Sequence, residues 1–150
     1  MSHKPKMHSL HSLHEGLVER FVFKPTDEMM QSFVKISGDI NPLHTDVNFA
    51  TSRGFDGVVV YGGILVAQIS RMVGMYCPGL NSIFADLQFA FSSESRDSCK
   101  FRVSEIDDRF GLLKIALQSH NGSGEITSFF RPTPIEQISV QGAKDLVQKN

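Results

Sequence analysis

Tryptophan is absent from this chain of 150 residues, and tyrosine and cysteine occur only twice each. Neither charge sign dominates, since 15 Lys and Arg stand against 16 Asp and Glu for a net charge of -1. So even a balance gives no broad electrostatic footprint for a polyanion, and nothing favours a nucleic-acid partner. Cys77 and Cys99 are far apart and match no metal or redox spacing. They read as reduced, buried thiols of a cytoplasmic protein. No apolar run approaches the ~20 residues that a membrane helix needs, so no membrane partner is expected. Lys4 and Lys6 near the start are followed by no apolar stretch of the secretory kind. No glycine-rich phosphate loop follows a strand pattern, so no bound cofactor is expected.

What is present suits one globular domain with a full core: 41% hydrophobic residues, 12 of the chain's residues being Phe. Residues 1–15 are polar and carry His3, His8, His11 and His14. Three histidines at spacings of three are a conceivable metal set, but no carboxylate pattern joins them. A solvated leader over 1–15 is the expectation, with no metal site. Residues 16–24 read as a strand ended by Pro25. Thr26 then caps a helix through Met29, Met30, Phe33, Val34 and Ile36, stopped by Gly38. Asp46 caps a short helix that Gly54 ends. Residues 61–76 form a long helix apolar over most of its circumference, which predicts burial all round. Beyond Pro78-Gly79 the chain reads as β. A strand at 82–91 alternates Ile83, Ala85, Leu87, Phe89 and Phe91 against Phe84, Asp86 and Gln88. Strands at 99–106, 112–119 and 125–131 follow, with turns at 107–111 and at Asn121-Gly122-Ser123-Gly124. Residues 135–150 are a tail outside the domain of 16–134. The expected class is α+β, a mostly antiparallel sheet packed around one buried helix.

The chemistry concentrates in Gly38-Asp39-Ile40-Asn41-Pro42-Leu43-His44. Pro42 disfavours helical backbone at Asn41 and cannot sit within a helix interior. Asp39 and His44 therefore flank a sharp turn, from which a carboxylate and an imidazole can converge on one small molecule. Free side chains of these types titrate near ~3.9 and ~6.5, a pair that can be tuned to move protons near neutral pH. Downstream, Gly62-Gly63 opens the long helix, where backbone amides can hold a developing negative charge.

The run Gly38-Asp39-x-Asn41-Pro42-Leu43-His44-x-Asp46, with the glycine-led helix after it, resembles the hydratase motif of MaoC-like (R)-specific enoyl-CoA hydratases. The likeness extends over about residues 16–131. It implies the hot-dog fold, an antiparallel sheet wrapped around a long central helix. It also implies a hydro-lyase that adds water to a trans-2-enoyl thioester to give an (R)-3-hydroxyacyl thioester, or runs the reverse dehydration. By the resemblance Asp39 and His44 hold the catalytic water, the Gly62 N–H meets the thioester oxygen, and Ser70 is a helix residue on the substrate side. Family members usually carry a histidine just before that glycine, and here Tyr61 stands in its place. Tyr61 is expected to alter packing or the shape of the acyl pocket rather than to transfer a proton.

Asn41 and Pro42 are expected to support the turn, and Asp46 to cap a helix. Ser70 suits a packing role and a substrate-side role equally. Arg53 and Arg71 could meet a phosphate of coenzyme A, although solvated arginines are commoner. Coenzyme A or acyl carrier protein enters only as part of the substrate. A homodimer or higher even oligomer is expected, with Ser82–Phe91 and Leu112–Ser119 apolar enough to extend a sheet. Two other classes stay open, a hot-dog thioesterase and a non-catalytic acyl-thioester-binding module. The Asp-x-Asn-Pro-x-His element argues against the first, and the intact Asp39/His44 pair against the second.

Overall fold

The computed structural model describes residues 12–22, 24–92, 98–119, 122–131 and 139. The first eleven residues of the leader and nearly all of the tail therefore lie outside the described residues, with His3, His8 and His11. The elements run β1 (Val18–Val22), α1 (Asp27–Ser37), α2 (Pro42–Thr45), α3 (Val47–Ser52), α4 (Gly62–Met75), β2 (Ser82–Phe91), β3 (Ser98–Asp107), β4 (Leu112–Ser119) and β5 (Gly122–Phe130).

Local chemistry sets most helix ends. Thr26 is extended and its hydroxyl accepts from the Met29 amide at 3.2 Å. Asp27 and Glu28 sit in the first turn of α1, beside the positive end of its dipole. Gly38 ends the helix with φ 71° and returns its N–H to the Val34 carbonyl, a left-handed cap that an L side chain adopts reluctantly. Asp46 Oδ1 accepts from the Asn48 and Phe49 amides and so starts α3.

The five strands form one antiparallel sheet in the order β1-β3-β4-β5-β2. On one face Phe101, Val103, Leu113, Ile115, Leu117 and Ile126 meet Ile64, Ile69, Met72 and Val73 of α4. Burying such side chains contributes roughly 1.5–3 kcal/mol each. This is the α+β arrangement of sheet and central helix that the resemblance implies. Both cysteines are free thiols, Cys77 buried and Cys99 partly so. Among the described residues no helix is long and apolar enough to cross a membrane.

Five expectations need correction. The packed unit begins before residue 16, because Leu13 is 5% exposed and belongs to the core. Leu112–Ser119 cannot extend the sheet to another molecule, since β4 is paired on both sides; β1 and β2 are the edges. The alternation of β2 breaks at a bulge between Phe84 and Asp86, so Phe84, Leu87 and Phe89 face the core while Ile83 and Ala85 turn out. Gly122-Ser123-Gly124 is strand, not turn. A Cβ at Gly124 would collide with the Gln88 carbonyl and lie 2.9 Å from the Phe89 ring, so glycine there lets Phe89 cross β5. Finally, α4 is not buried all round. Gly63, Val66, Ala67 and Ser70 share an exposed face.

Candidate active site

The site is built where α1 ends, α2 turns and α4 begins. Gly38 turns the chain out of α1, and the Asp39 amide donates to Ser37 Oγ at 3.2 Å. Asp39 Oδ1 accepts from the Asn41 amide at 3.0 Å, and Asn41 Oδ1 accepts from the Leu43 amide at 3.0 Å. These two short side chains satisfy amides that a turn would otherwise leave to water. Pro42 is helical after all, at the first position of the one-turn α2. There its missing N–H costs nothing and its φ is already suitable. The bar on proline in a helix interior does not extend to that position.

His44 lies in α2 and is half-buried. Its Nδ1 is 2.6 Å from the Val59 carbonyl oxygen. A carbonyl only accepts, so Nδ1 carries the proton. In the neutral ring Nε2 is then a free acceptor. The Val59 amide donates in turn to the Leu43 carbonyl at 2.8 Å. Val59, in the segment before α4, thus holds the turn by two bonds. Asp39 is exposed, and its Oδ2 has no partner among the described residues.

Tyr61 joins these pieces. It is 2% exposed and stands at the cap of α4. Its hydroxyl donates to the Asp39 backbone carbonyl at 2.7 Å. Its ring centroid is 4.0 Å from that of His44 and 4.9 Å from that of Phe33. Burial, and then the Asp39 carboxylate, push the phenol above its ordinary range, so it remains a protonated donor.

Gly62 and Gly63 follow as the first residues of α4. Their amides belong to the first turn, whose N–H groups lack intrahelical acceptors and sit at the positive end of the dipole. A Cβ at Gly63 would lie 2.5 Å from Phe33 Cζ, so the bare backbone is what lets Phe33 close over the helix start. A Cβ at Gly62 would meet Phe91 Cζ at 3.3 Å. The phenyl of Phe91, more than half exposed, therefore stands beside this amide.

Asp39, Asn41, Pro42, His44, Tyr61 and Gly62 are thus gathered in one region. Ser70 is not in it. It lies exposed on α4, eight residues beyond Gly62, or ~12 Å along the helix axis. Arg53 is exposed with its guanidinium 5.1 Å from the Phe49 ring centre, and Arg71 packs beside Phe21 and Tyr76. Three contributors were invisible as site residues in the sequence. Phe33 reads there only as one apolar position of a helix, and Phe91 as one of a strand. Val59 acts through its carbonyl, for which no side-chain signal exists.

Residues 14–89 match the family model described as MaoC like domain. An (R)-specific enoyl-CoA hydratase of Aeromonas caviae is 35% identical over 60 residues, 40% of this chain and 45% of that protein. A mitochondrial 3-hydroxyacyl-[acyl-carrier-protein] dehydratase of Arabidopsis thaliana is 30% identical over 73 residues, 49% of this chain and 43% of that one. The matched stretch thus spans less than half the length of either relative. Among solved structures, an (R)-hydratase from A. caviae involved in PHA biosynthesis superposes with a TM-score of 0.72 at 22% identity, over 80% of this chain and 98% of that one. An unliganded R-hydratase from Pseudomonas aeruginosa gives 0.68 at 20% identity, over 87% and 95%. These last two establish the fold, which is the hot-dog fold, and the match over half of the sequence establishes the lineage: the chain belongs to the MaoC-like domain family.

Proposed function

We propose that the protein is a hydratase/dehydratase acting on an acyl thioester, carried on coenzyme A or acyl carrier protein. It would add water to a trans-2-enoyl thioester and release the (R)-3-hydroxyacyl thioester. The observation that carries this reading is the pair of open acceptors on one braced turn. Asp39 Oδ2 and His44 Nε2 are unclaimed among the described residues, while their partner atoms are tied down by Asn41 and Val59. A water molecule has two hydrogens to offer such a pair. Names of the relatives, a hydratase of enoyl-CoA and a dehydratase of hydroxyacyl carrier protein, support the same class.

The chemistry then balances without an added cofactor. The water oxygen attacks C3 as one of its protons passes to the Asp39/His44 pair. The C2–C3 double bond supplies the electrons that delocalise onto the thioester oxygen, and that oxygen is stabilised by the Gly62 N–H. A proton returns to C2 and the thioester carbonyl re-forms. One oriented donor of this kind is typically worth ~3 kcal/mol of transition-state stabilisation. The (R) outcome rests on kinship, since one chain does not fix which face water attacks.

An even oligomer completes the proposal. Edge strand β2 leaves its outer backbone edge unpaired in this sheet and exposes Ile83, so a second copy pairing along β2 would cover it; Val66 on the exposed face of α4 is a separate apolar position.

Crotonyl-CoA and longer enoyl-CoAs, followed by absorbance of the conjugated thioester, test the reaction. Loss of the enoyl signal without free thiol, with an (R) product on chiral analysis, is the expected result. Thiol release would point to a thioesterase. No turnover on any chain length, on coenzyme A or on carrier protein, would point to a binding module.

A further inference from the structure

Tyr61 has contacts that an acyl-pocket wall would not need. Its hydroxyl reaches back 22 residues to the Asp39 carbonyl at 2.7 Å, and its ring lies 4.0 Å from the His44 ring at an interplanar angle of 32°. Its own carbonyl accepts from the Ile64 amide, so its backbone is the cap of α4. One side chain therefore ties together the segment bearing the carboxylate, the imidazole, and the peptide that leads into the Gly62 amide. Phe33 packs on the same ring at 4.9 Å, and the whole side chain is 2% exposed. A buried phenol with one satisfied hydrogen bond and two ring neighbours has little freedom to relax, so it transmits position well.

We propose that Tyr61 is a positioning residue that sets the Asp39/His44 pair against the start of α4, through its hydroxyl to Asp39 and its ring on His44. This rests on the hydratase reading above. Of the two expectations for Tyr61, packing and pocket shape, it develops the first, because both ends of the side chain are engaged with the turn. The role needs a group long enough to cross from the α4 cap to the Asp39 backbone, with a donor at its far end. Phenol meets both needs. Phenylalanine keeps the ring and drops the donor.

Tyr61→Phe isolates the hydroxyl, and Tyr61→Leu removes ring and hydroxyl together. With crotonyl-CoA as probe, Tyr61→Phe should lower kcat on the order of 10- to 100-fold while KM moves less than about twofold. Misplacing catalytic groups by fractions of an ångström has effects of that size, and an unchanged KM separates misplacement from lost binding. In an Asp39→Asn background the same change should add almost nothing, because the group it positions is gone. Tyr61→Leu should lose more, with His44 released as well. Unchanged kcat in Tyr61→Phe, or an equal loss in the Asp39→Asn background, would overturn the proposal.

Amide hydrogen exchange reads the positioning without turnover. The Asn41 and Leu43 amides should exchange about three- to tenfold faster in Tyr61→Phe, the worth of one neutral hydrogen bond, with β4 amides unchanged. Unaltered exchange at Asn41 and Leu43 would overturn the proposal whatever the kinetics. Faster exchange in a protein that hydrates no enoyl thioester would instead remove the hydratase reading and leave the mechanical link standing.

Discussion

The central strands and the turn between α1 and α4 are held together by different physics. In β3, β4 and β5 the inward residues Val103, Leu113, Ile115 and Ile126 have no exposed surface at all. Their support is apolar area, spread over many neighbours and indifferent to any one polar contact. In the turn, Asp39, Asn41 and Pro42 are exposed and His44 is half-buried. Order there comes from a handful of directional bonds, from Asn41 N–H to Asp39, from Leu43 N–H to Asn41, from His44 to Val59 and from Tyr61 to Asp39. The comparison shows how one chain keeps a carboxylate and an imidazole open to solvent without loosening its core. The groups proposed to do chemistry contribute little buried area, and the groups that contribute area lie outside the proposed site.

The largest expected effect breaks the turn's chemistry and spares the sheet. Asp39→Asn should reduce kcat by roughly 10²- to 10⁴-fold, the usual contribution of a positioned acid/base group. Its amide oxygen can still accept from the Asn41 N–H, so the melting temperature should hold within a few degrees. His44→Ala should be similarly inactive and somewhat less stable, having lost the bond to Val59. Steady-state kinetics beside thermal melts checks both, and near-native kcat in either variant would place the chemistry elsewhere.

The converse change is Ile115→Ala, at a residue with no exposed surface in the middle of β4. It should cost about 2–5 kcal/mol of stability through lost burial and a residual cavity. At roughly 2–4 °C per kcal/mol for a chain of this size, the melt should fall on the order of 10 °C. Below that melt, kcat per folded molecule should be little changed. A large loss of kcat with an intact melt would mean that sheet and turn are coupled more tightly than this contrast allows.

The smallest effect is on alkaline pH. The Tyr61 phenol is raised above its ordinary value of about 10, first by burial and then by the Asp39 carboxylate. A group raised on folding contributes stability that is complete below its unfolded value and is lost as pH climbs through its folded value. Stability should therefore hold to about pH 10 on this account and decline above it. Cys99, raised by burial against a weaker opposing bond from the Gln118 backbone, adds a decline that starts near its ordinary value of about 9. Melting curves from pH 8 to 11 for the native protein and Tyr61→Phe separate the two. The variant should lack the part above pH 10, and identical curves would remove Tyr61 from the account.

What the sequence determined by itself was what short-range chemistry decides. Thr26, Gly38 and Asp46 mark helix ends because a cap bonds amides or carbonyls within four residues of itself. The existence of the strands beyond residue 82 was legible because alternation is a property of neighbouring positions, although the bulge in β2 and the start of β5 were not, and the Asp39–His44 motif was legible because its spacing is local. Tertiary structure decided the rest. That Phe89 lies across β5 explains why Gly122 and Gly124 are strand residues, and no local pattern distinguishes that from a turn. That β4 is central and β2 an edge depends on strand order, to which composition is blind. The orientation of Tyr61 toward Asp39, and the capture of His44 by the Val59 carbonyl, join residues 22 and 15 positions apart. Such bonds exist only once α1, α2 and α4 have packed, because only packing brings a donor and an acceptor from distant segments within 3 Å.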